Sequence, residues 1–232
     1  LKKRSNMFNH WVYLLYSYLI GSIPFSFLVP LLFKKINVME VGWKKSSATN
    51  VYKNVGIIEG IISGLLDAAK GFFIVYLAMH NFGFSDPWLV AFACAVVFGH
   101  NWSIFLSFAG GRGLATYAGA LLAFSPTLAI LGVTIYFALG ALLDGSISTI
   151  IALLVVIFVS PVMDFWETAG IYTALIFLPL LFKRLTPLRD FFHTKTPWEL
   201  FKARLVFDDN QWHELRYIKL FQQLTNKDKG LQ

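Results

Sequence analysis

The run Trp11–Phe33 contains no charged residue. A helix needs roughly 20 predominantly apolar residues to cross the hydrocarbon core of a bilayer. Further apolar runs follow at Gly56–Met79, Pro87–Phe108, Gly113–Leu143, Ile147–Val159 and Phe165–Phe182. Gly113–Leu143 is too long for one upright span. Pro126 divides it, because proline removes a helix donor, and Ser125 is suited to cap the second half. The pattern predicts an all-α integral membrane protein of about seven transmembrane helices. Two of them are short, Gly113–Phe124 and Ile147–Val159; six helices result if Pro126 only kinks one long element. Composition agrees: 56% of residues are hydrophobic and 14% charged, against about 25% charged in soluble domains. A disordered chain and an ordinary water-soluble enzyme are excluded. The single cysteine, Cys94, excludes an intramolecular disulfide and a multi-cysteine zinc site.

Lysine and arginine in short loops set orientation. Lys34, Lys35, Lys44, Lys45 and Lys53 cluster after the first run, and Lys183 onward is rich in basic residues. The segments His80–Asp86, around Ser125, and Ser160–Asp164 have none. Seven spans with the N-terminus outside place these basic segments in the cytoplasm. Lys2, Lys3 and Arg4 would then lie outside, a conflict that a start at Met7 removes. The first run is too long for a signal-peptide core and no small-residue cleavage site follows, so a signal peptide is not expected. The chain therefore reads as one multi-span membrane domain, 1–183, and a basic cytoplasmic tail, 184–232. In the tail, Thr196-Pro197-Trp198-Glu199 has capping-box form. Trp198, Phe201 and Leu205, and then Trp212, Leu215, Ile218 and Phe221, recur at helical spacing. Two amphipathic helices on the inner membrane surface fit this pattern; packing on cytoplasmic loops or a partner is the other reading. The membrane explains the basic and aromatic mixture without a nucleic-acid partner.

Polar residues inside apolar runs need a reason. Asp67 and Lys70 share a helical face and can pair, either to fix packing or as part of a polar site. Glu59 lies near the end of its run and reads as interfacial. His100 stands in Gly99-His100-Asn101-Trp102, shortly before the turn Gly110-Gly111-Arg112-Gly113. Glycines allow close backbone approach, the helix that follows offers unsatisfied N–H groups, and Arg112 adds a cationic fork. Together these make an anion site; a tight interhelical turn with a basic residue is the plainer reading. Walker A spacing is absent. Between Lys45 and Lys53 the loop carries Ser46, Ser47, Thr49 and Asn50, hydroxyl and amide groups among cations. A solvated basic loop facing anionic lipid explains the lysines equally well.

In order and spacing these pieces resemble the bacterial membrane acyl-phosphate:glycerol-3-phosphate acyltransferases. The resemblance covers about residues 17–160. It rests on Tyr18-Leu19-Ile20-Gly21-Ser22-Ile23-Pro24, Ala48-Thr49-Asn50, Asp67-Ala68-Ala69-Lys70-Gly71, Gly99-His100 and Gly110-Gly111-Arg112-Gly113-Leu114-Ala115-Thr116. It implies a seven-helix plasma-membrane protein with its site at the cytoplasmic face. The implied reaction moves a fatty acyl group from acyl phosphate to the 1-hydroxyl of glycerol 3-phosphate, giving lysophosphatidic acid, with no cofactor, no metal and no covalent intermediate. It assigns phosphate binding to Gly110, Gly111, Arg112, Gly113, Thr116, Thr49 and Lys53; Lys45, which stands where the family has an asparagine, is a further phosphate-binding candidate. His100, Ser47, Asn50 and Thr149 become the catalytic and positioning set, while Asp67 and Lys70 stay a pair of structural or site role. Membrane lipids are the surroundings.

Several features depart from the family pattern. The Asp-x-Arg expected just upstream of the first motif is absent around Val38–Glu40, and the proline expected after Gly-His is replaced near Ser103. Gly42-Trp43-Lys44-Lys45 stands where the family has Gly-Ser-Gly-Asn. Arg112 replaces a lysine. Lys183, Arg184 and Pro187 stand where a histidine and an asparagine are expected after the last helix. A relative without catalysis, binding a lipid phosphate or a membrane-protein partner, is the alternative that these departures suggest.

Overall fold

A computed structural model describes residues 7–207. All regular structure among the described residues is helical. The first apolar run is expected as one helix but forms two, α1 (Met7–Ser22) and α2 (Phe25–Lys34). Pro24 lies at the break, where it cannot donate to the preceding turn. The two helices still make one long apolar segment, Asn9–Lys34. After it, α3 (Ala48–Asn54) is a short helix where the sequence read as a loop. Ser47 caps it: its Oγ accepts the N–H of Asn50 at 3.3 Å.

Next come α4 (Ile57–His80) and α5 (Asp86–Asn101). The break at Pro126 divides α6 (Leu114–Phe124) from α7 (Pro126–Leu142). Ser125 caps α7 as expected, accepting the N–H of Leu128. After α8 (Gly145–Val159), the last run opens with a π-helical turn, Trp166–Gly170, before α9 (Ile171–Leu185). The helix thus extends beyond Phe182, and Lys183 and Arg184 form its last turn. Two short helices follow, α10 (Asp190–His193) and α11 (Pro197–Val206). Four segments are long and apolar enough to cross a membrane: Asn9–Lys34, Ile57–His80, Asp86–Leu106 and Trp166–His193. The helices α6, α7 and α8 are shorter and also apolar.

The core lies between α4, α5, α6, α8 and α9. Phe92, Val96, Leu121, Leu153, Tyr172 and Ile176 are buried there. Gly71 and Gly119 let α4 and α6 approach so closely that a Cβ on either would strike the other's backbone, the usual device for packing helices in lipid. Large apolar side chains such as Leu32, Leu65, Phe137, Phe158 and Leu178 point outward. In water such a surface would be costly; against lipid it is the favoured one.

In the first tail helix, Leu200, Ala203 and Arg204 are buried, while Trp198 is exposed and stacks on Phe201. Arg204 fixes the buried side. Its guanidinium donates to the carbonyls of Leu185 (2.8 Å) and Pro187 (2.9 Å) and pairs with Asp190. The second tail helix, Trp212–Phe221, lies outside the described residues, as do Lys2, Lys3 and Arg4.

Candidate active site

The site is built where the first apolar segment breaks. Pro24 interrupts the ladder there and leaves the carbonyls of Gly21 and Ile23 without their usual helical donors. Lys70 supplies them: its ammonium donates to Gly21 O at 2.8 Å and Ile23 O at 2.9 Å. It also sits 2.9 Å from Asp67 Oδ1, one helical turn back on α4. The predicted pair therefore forms, with both side chains buried. Asp67 is further held by Ser26, whose hydroxyl donates to Oδ2 at 2.6 Å. Hydrogen bonds to the remaining sites are what make a buried ion pair tolerable; here Lys70 and Asp67 Oδ2 have them, while Asp67 Oδ1 has its charged neighbours but no hydrogen-bond partner.

His100, at the end of α5, joins the pair. Its Nδ1 lies 3.3 Å from Asp67 Oδ1 and 3.1 Å from Lys70 Nζ. Its opposite nitrogen faces the glycine turn, because a Cβ on Gly111 would collide with His100 Nε2. The Gly111 N–H donates to the His100 carbonyl at 3.2 Å. Gly113 is the N-cap of α6 and has φ +75°, a left-handed conformation that suits glycine. Asn101 lies beneath it, wholly buried, and its amide atoms have no hydrogen-bond partner. Thr116, in the first turn of α6, is buried, and its hydroxyl is also without a partner. Gly110 and Gly111 thus pack on His100, and Gly113 packs on Asn101 at the start of the helix that carries Thr116.

The first loop closes on the same place. A Cβ on Gly111 would also strike the Ser46 carbonyl, so the loop backbone touches the glycine turn. Asn50 organises the loop. Its amide nitrogen donates to the carbonyls of Val38, Val41 and Lys45, and its oxygen accepts from Trp43 N–H at 3.1 Å. The Asn50 side chain is therefore spent on loop geometry, as Ser47 is on capping. Thr49 is exposed in the first turn of α3. Lys53, in its last turn, lies over the Trp43 ring, with Nζ 4.7 Å from the centroid. The Arg112 guanidinium lies 4.9 Å from the same centroid.

Lys45 stands among cations. Burial first, and then the charges of Arg112, Arg204 and Arg184, lower its pKa to about 7, with Asp190 pulling the other way. Two of these arginines come from α9 and α11, which sequence reasoning placed in the tail. The buried Arg184 donates to the carbonyl of Ser146 at 2.9 Å. Lys183 lies 5.0 Å from the Trp102 ring centroid. Thr149 is near in chain, but its hydroxyl bonds to the Gly145 carbonyl at 2.6 Å. The neighbouring Ser146 hydroxyl is the one left buried and without a partner. Sequence reasoning gave no role to Ser26 or Asn101. The only signal was a polar side chain in an apolar run, a signal shared by serines that simply bond to their own helix, as Ser17 and Ser22 do.

No group of three or more histidine, cysteine, aspartate or glutamate side chains that could hold a metal occurs among the described residues. Fold and site together define an integral membrane protein of long and short apolar helices with one polar, cation-rimmed site at an end of its bundle. Residues 11–190 match the family model described as glycerol-3-phosphate acyltransferase, and the chain belongs to that family. A glycerol-3-phosphate acyltransferase of Thermotoga petrophila is 41% identical over 154 residues, 62% of this chain and 78% of the relative. One from Thermotoga maritima, glycerol-3-phosphate acyltransferase 2, is 38% identical over the same shares. The fold is similar to a crystal structure of PlsY (YgiH), an integral membrane glycerol 3-phosphate acyltransferase, in its glycerol 3-phosphate form. The TM-score is 0.71 at 25% identity, covering 80% of this chain and 92% of that one.

Proposed function

We propose that the chain transfers a fatty acyl group from acyl phosphate to the 1-hydroxyl of glycerol 3-phosphate, releasing inorganic phosphate and lysophosphatidic acid. The observation that carries the reading is the Asp67–Lys70–His100 cluster set against the Gly110–Gly113 turn beneath a rim of cations, in a member of this family. In the reaction the substrate hydroxyl oxygen bonds to the acyl carbon and the acyl–phosphate C–O bond breaks. Phosphate is a good leaving group, so the protein needs chiefly to align two substrates and neutralise their charge.

Each group then has a part. Lys70 donates to two carbonyls and lies within reach of both Asp67 and His100 Nδ1. As the base, His100 carries its proton on Nδ1, toward Asp67. Nε2 is then an acceptor on the side of the glycine turn, and it takes the hydroxyl proton as the new ester bond forms. Gly110, Gly111, Gly113 and Thr116 present the start of α6 to the acyl phosphate. Arg112, Lys45, Lys53 and Thr49 hold glycerol 3-phosphate, and Ser47 and Asn50 keep their loop in place. Ser146 and Thr149 edge the site from α8.

The acyl chain enters from the bilayer through a groove of about 260 Å³ that includes Ile23, Phe25, Leu66, Ala69, Lys70 and Phe73 in its wall. The Lys70 side chain forms part of the wall of this groove. The basic rim belongs on the cytoplasmic side of the plasma membrane, where lysine and arginine are retained and glycerol 3-phosphate is dissolved.

The test is turnover by the full chain reconstituted in lipid vesicles, with palmitoyl phosphate and labelled glycerol 3-phosphate. Lysophosphatidic acid should form. Arg112→Ala should lower kcat/KM for glycerol 3-phosphate by about 10- to 100-fold, the weight of a charge-assisted phosphate contact. Unchanged kinetics in that variant would remove Arg112 from the phosphate site.

A further inference from the structure

Trp43 stands where the resemblance expects a serine, and it lies between cations of the rim. Two left-handed residues, Gly42 (φ +54°) and Lys44 (φ +53°), flank it. Its N–H is fixed by Asn50 Oδ1 at 3.1 Å. Its ring meets two cations from two separate elements, Lys53 of α3 at 4.7 Å and Arg112 of the glycine turn at 4.9 Å. We propose that Trp43 is a positioning residue for glycerol 3-phosphate, its indole holding Lys53 and Arg112 together as one phosphate clamp. The inference rests on reading the chain as an acyltransferase.

Two like charges carried by separate elements repel. The negative face of an indole attracts both. A phosphate then meets a preassembled pair, and less of its binding energy is lost to ordering long side chains. Lys53 is exposed, and the ring gives its ammonium a fixed neighbour. The clamp serves the water-soluble substrate. The two apolar grooves run between α1 and α5 and between the α1–α2 break and α4, and neither includes Trp43, Lys53 or Arg112 in its wall.

The experiment compares Trp43→Phe, which keeps an aromatic face, with Trp43→Leu, which keeps apolar bulk without one. Full-chain protein in lipid vesicles is assayed for kcat, for KM of both substrates and for inhibition by inorganic phosphate. Thermal melting confirms that both variants are folded. Losing two cation–ring contacts of ordinary strength corresponds to about a fivefold to tenfold weakening. Trp43→Leu should therefore raise the KM for glycerol 3-phosphate and the inhibition constant of inorganic phosphate by about that factor. Its kcat should stay within about twofold and its KM for acyl phosphate should not change, while Trp43→Phe should stay near the parent protein.

Wild-type behaviour in Trp43→Leu overturns the proposal. So does a fall in kcat at constant KM, which marks plain packing, or a shift in the acyl phosphate KM instead. If the parent protein makes no lysophosphatidic acid, the acyltransferase reading fails by itself. Calorimetric titration with glycerol 3-phosphate then decides the clamp: weaker binding to Trp43→Leu than to Trp43→Phe supports it, and equal or absent binding overturns it.

Discussion

Lys45 shows how a single position ties sequence, packing and chemistry together. Alone it is one more basic loop residue. Folded, burial and the charges of Arg112, Arg204 and Arg184 bring its pKa down to about 7. Its unfolded value lies near 10.4, so the folded state binds its proton less tightly. Stability should therefore rise with pH between about 7 and 10 as this penalty is relieved, and the term should vanish in Lys45→Met. Substrate binding runs the other way. The affinity advantage of the parent protein over Lys45→Met for glycerol 3-phosphate should be greatest below pH 7 and shrink above it, measured by titration across pH 6–9. Taking the ratio of the two proteins cancels the titration of the phosphate itself. Asp67 carries a second prediction. Asp67→Ala leaves Lys70 buried beside two carbonyls with no counter-charge. The loss should be about 3–5 kcal/mol, the size expected when one partner of a buried pair is removed, read as a lowered midpoint in thermal unfolding.

At the scale of elements, the decisive event is the break between α1 and α2. Pro24 ends one helix, and the carbonyls that this frees become the acceptors for Lys70. The same break opens the groove that reaches Lys70 from the lipid side. Ala69 lies in that groove and is only half-buried. Ala69→Phe should narrow the groove and lower kcat/KM for palmitoyl phosphate several-fold, while a short acyl phosphate such as acetyl phosphate is used nearly as before. An equal loss with both donors would place the chain elsewhere. Most element boundaries were legible beforehand. Apolar runs give the spans, and Ser125-Pro126 marks the start of α7, because a cap and a proline act locally. The helix α3 was not legible. Its seven residues are polar and too short for a periodic signal, and it is held by Ser47 and the Asn50 network.

For the whole molecule, the question is which side of the membrane the site faces. The basic loop of the first segment, the glycine turn and the ends of α9 and α11 gather at one end of the bundle, as the charges surrounding Lys45 show. Thr49 is exposed at that end. A Thr49→Cys variant made in a Cys94→Ala background should react with a membrane-impermeant maleimide in inside-out vesicles and not in intact cells. The reverse pattern would invert the orientation. The tail also takes on a different meaning at this scale. Arg204 fastens α11 to the end of α9, so this part of the tail packs on the bundle and adds a charge beside Lys45.

The sequence by itself determined that the chain is a helical membrane protein, where most spans lie, and that His100 shortly precedes the Gly110–Gly113 turn, which it touches in the fold. Hydrophobic runs, caps and prolines act within a few residues of themselves, so each can be read without knowing what lies across the bundle. The pairing of Asp67 with Lys70 was legible for the same reason, since the two share one helical turn. Tertiary structure alone decided that Ser26 and His100 complete that pair and that Asn50 serves the loop. It also decided that Lys45 is crowded by arginines distant in sequence and that one indole lies against both Lys53 and Arg112. Those facts depend on which helix ends meet, and burial and charge act between whichever groups the packing brings together.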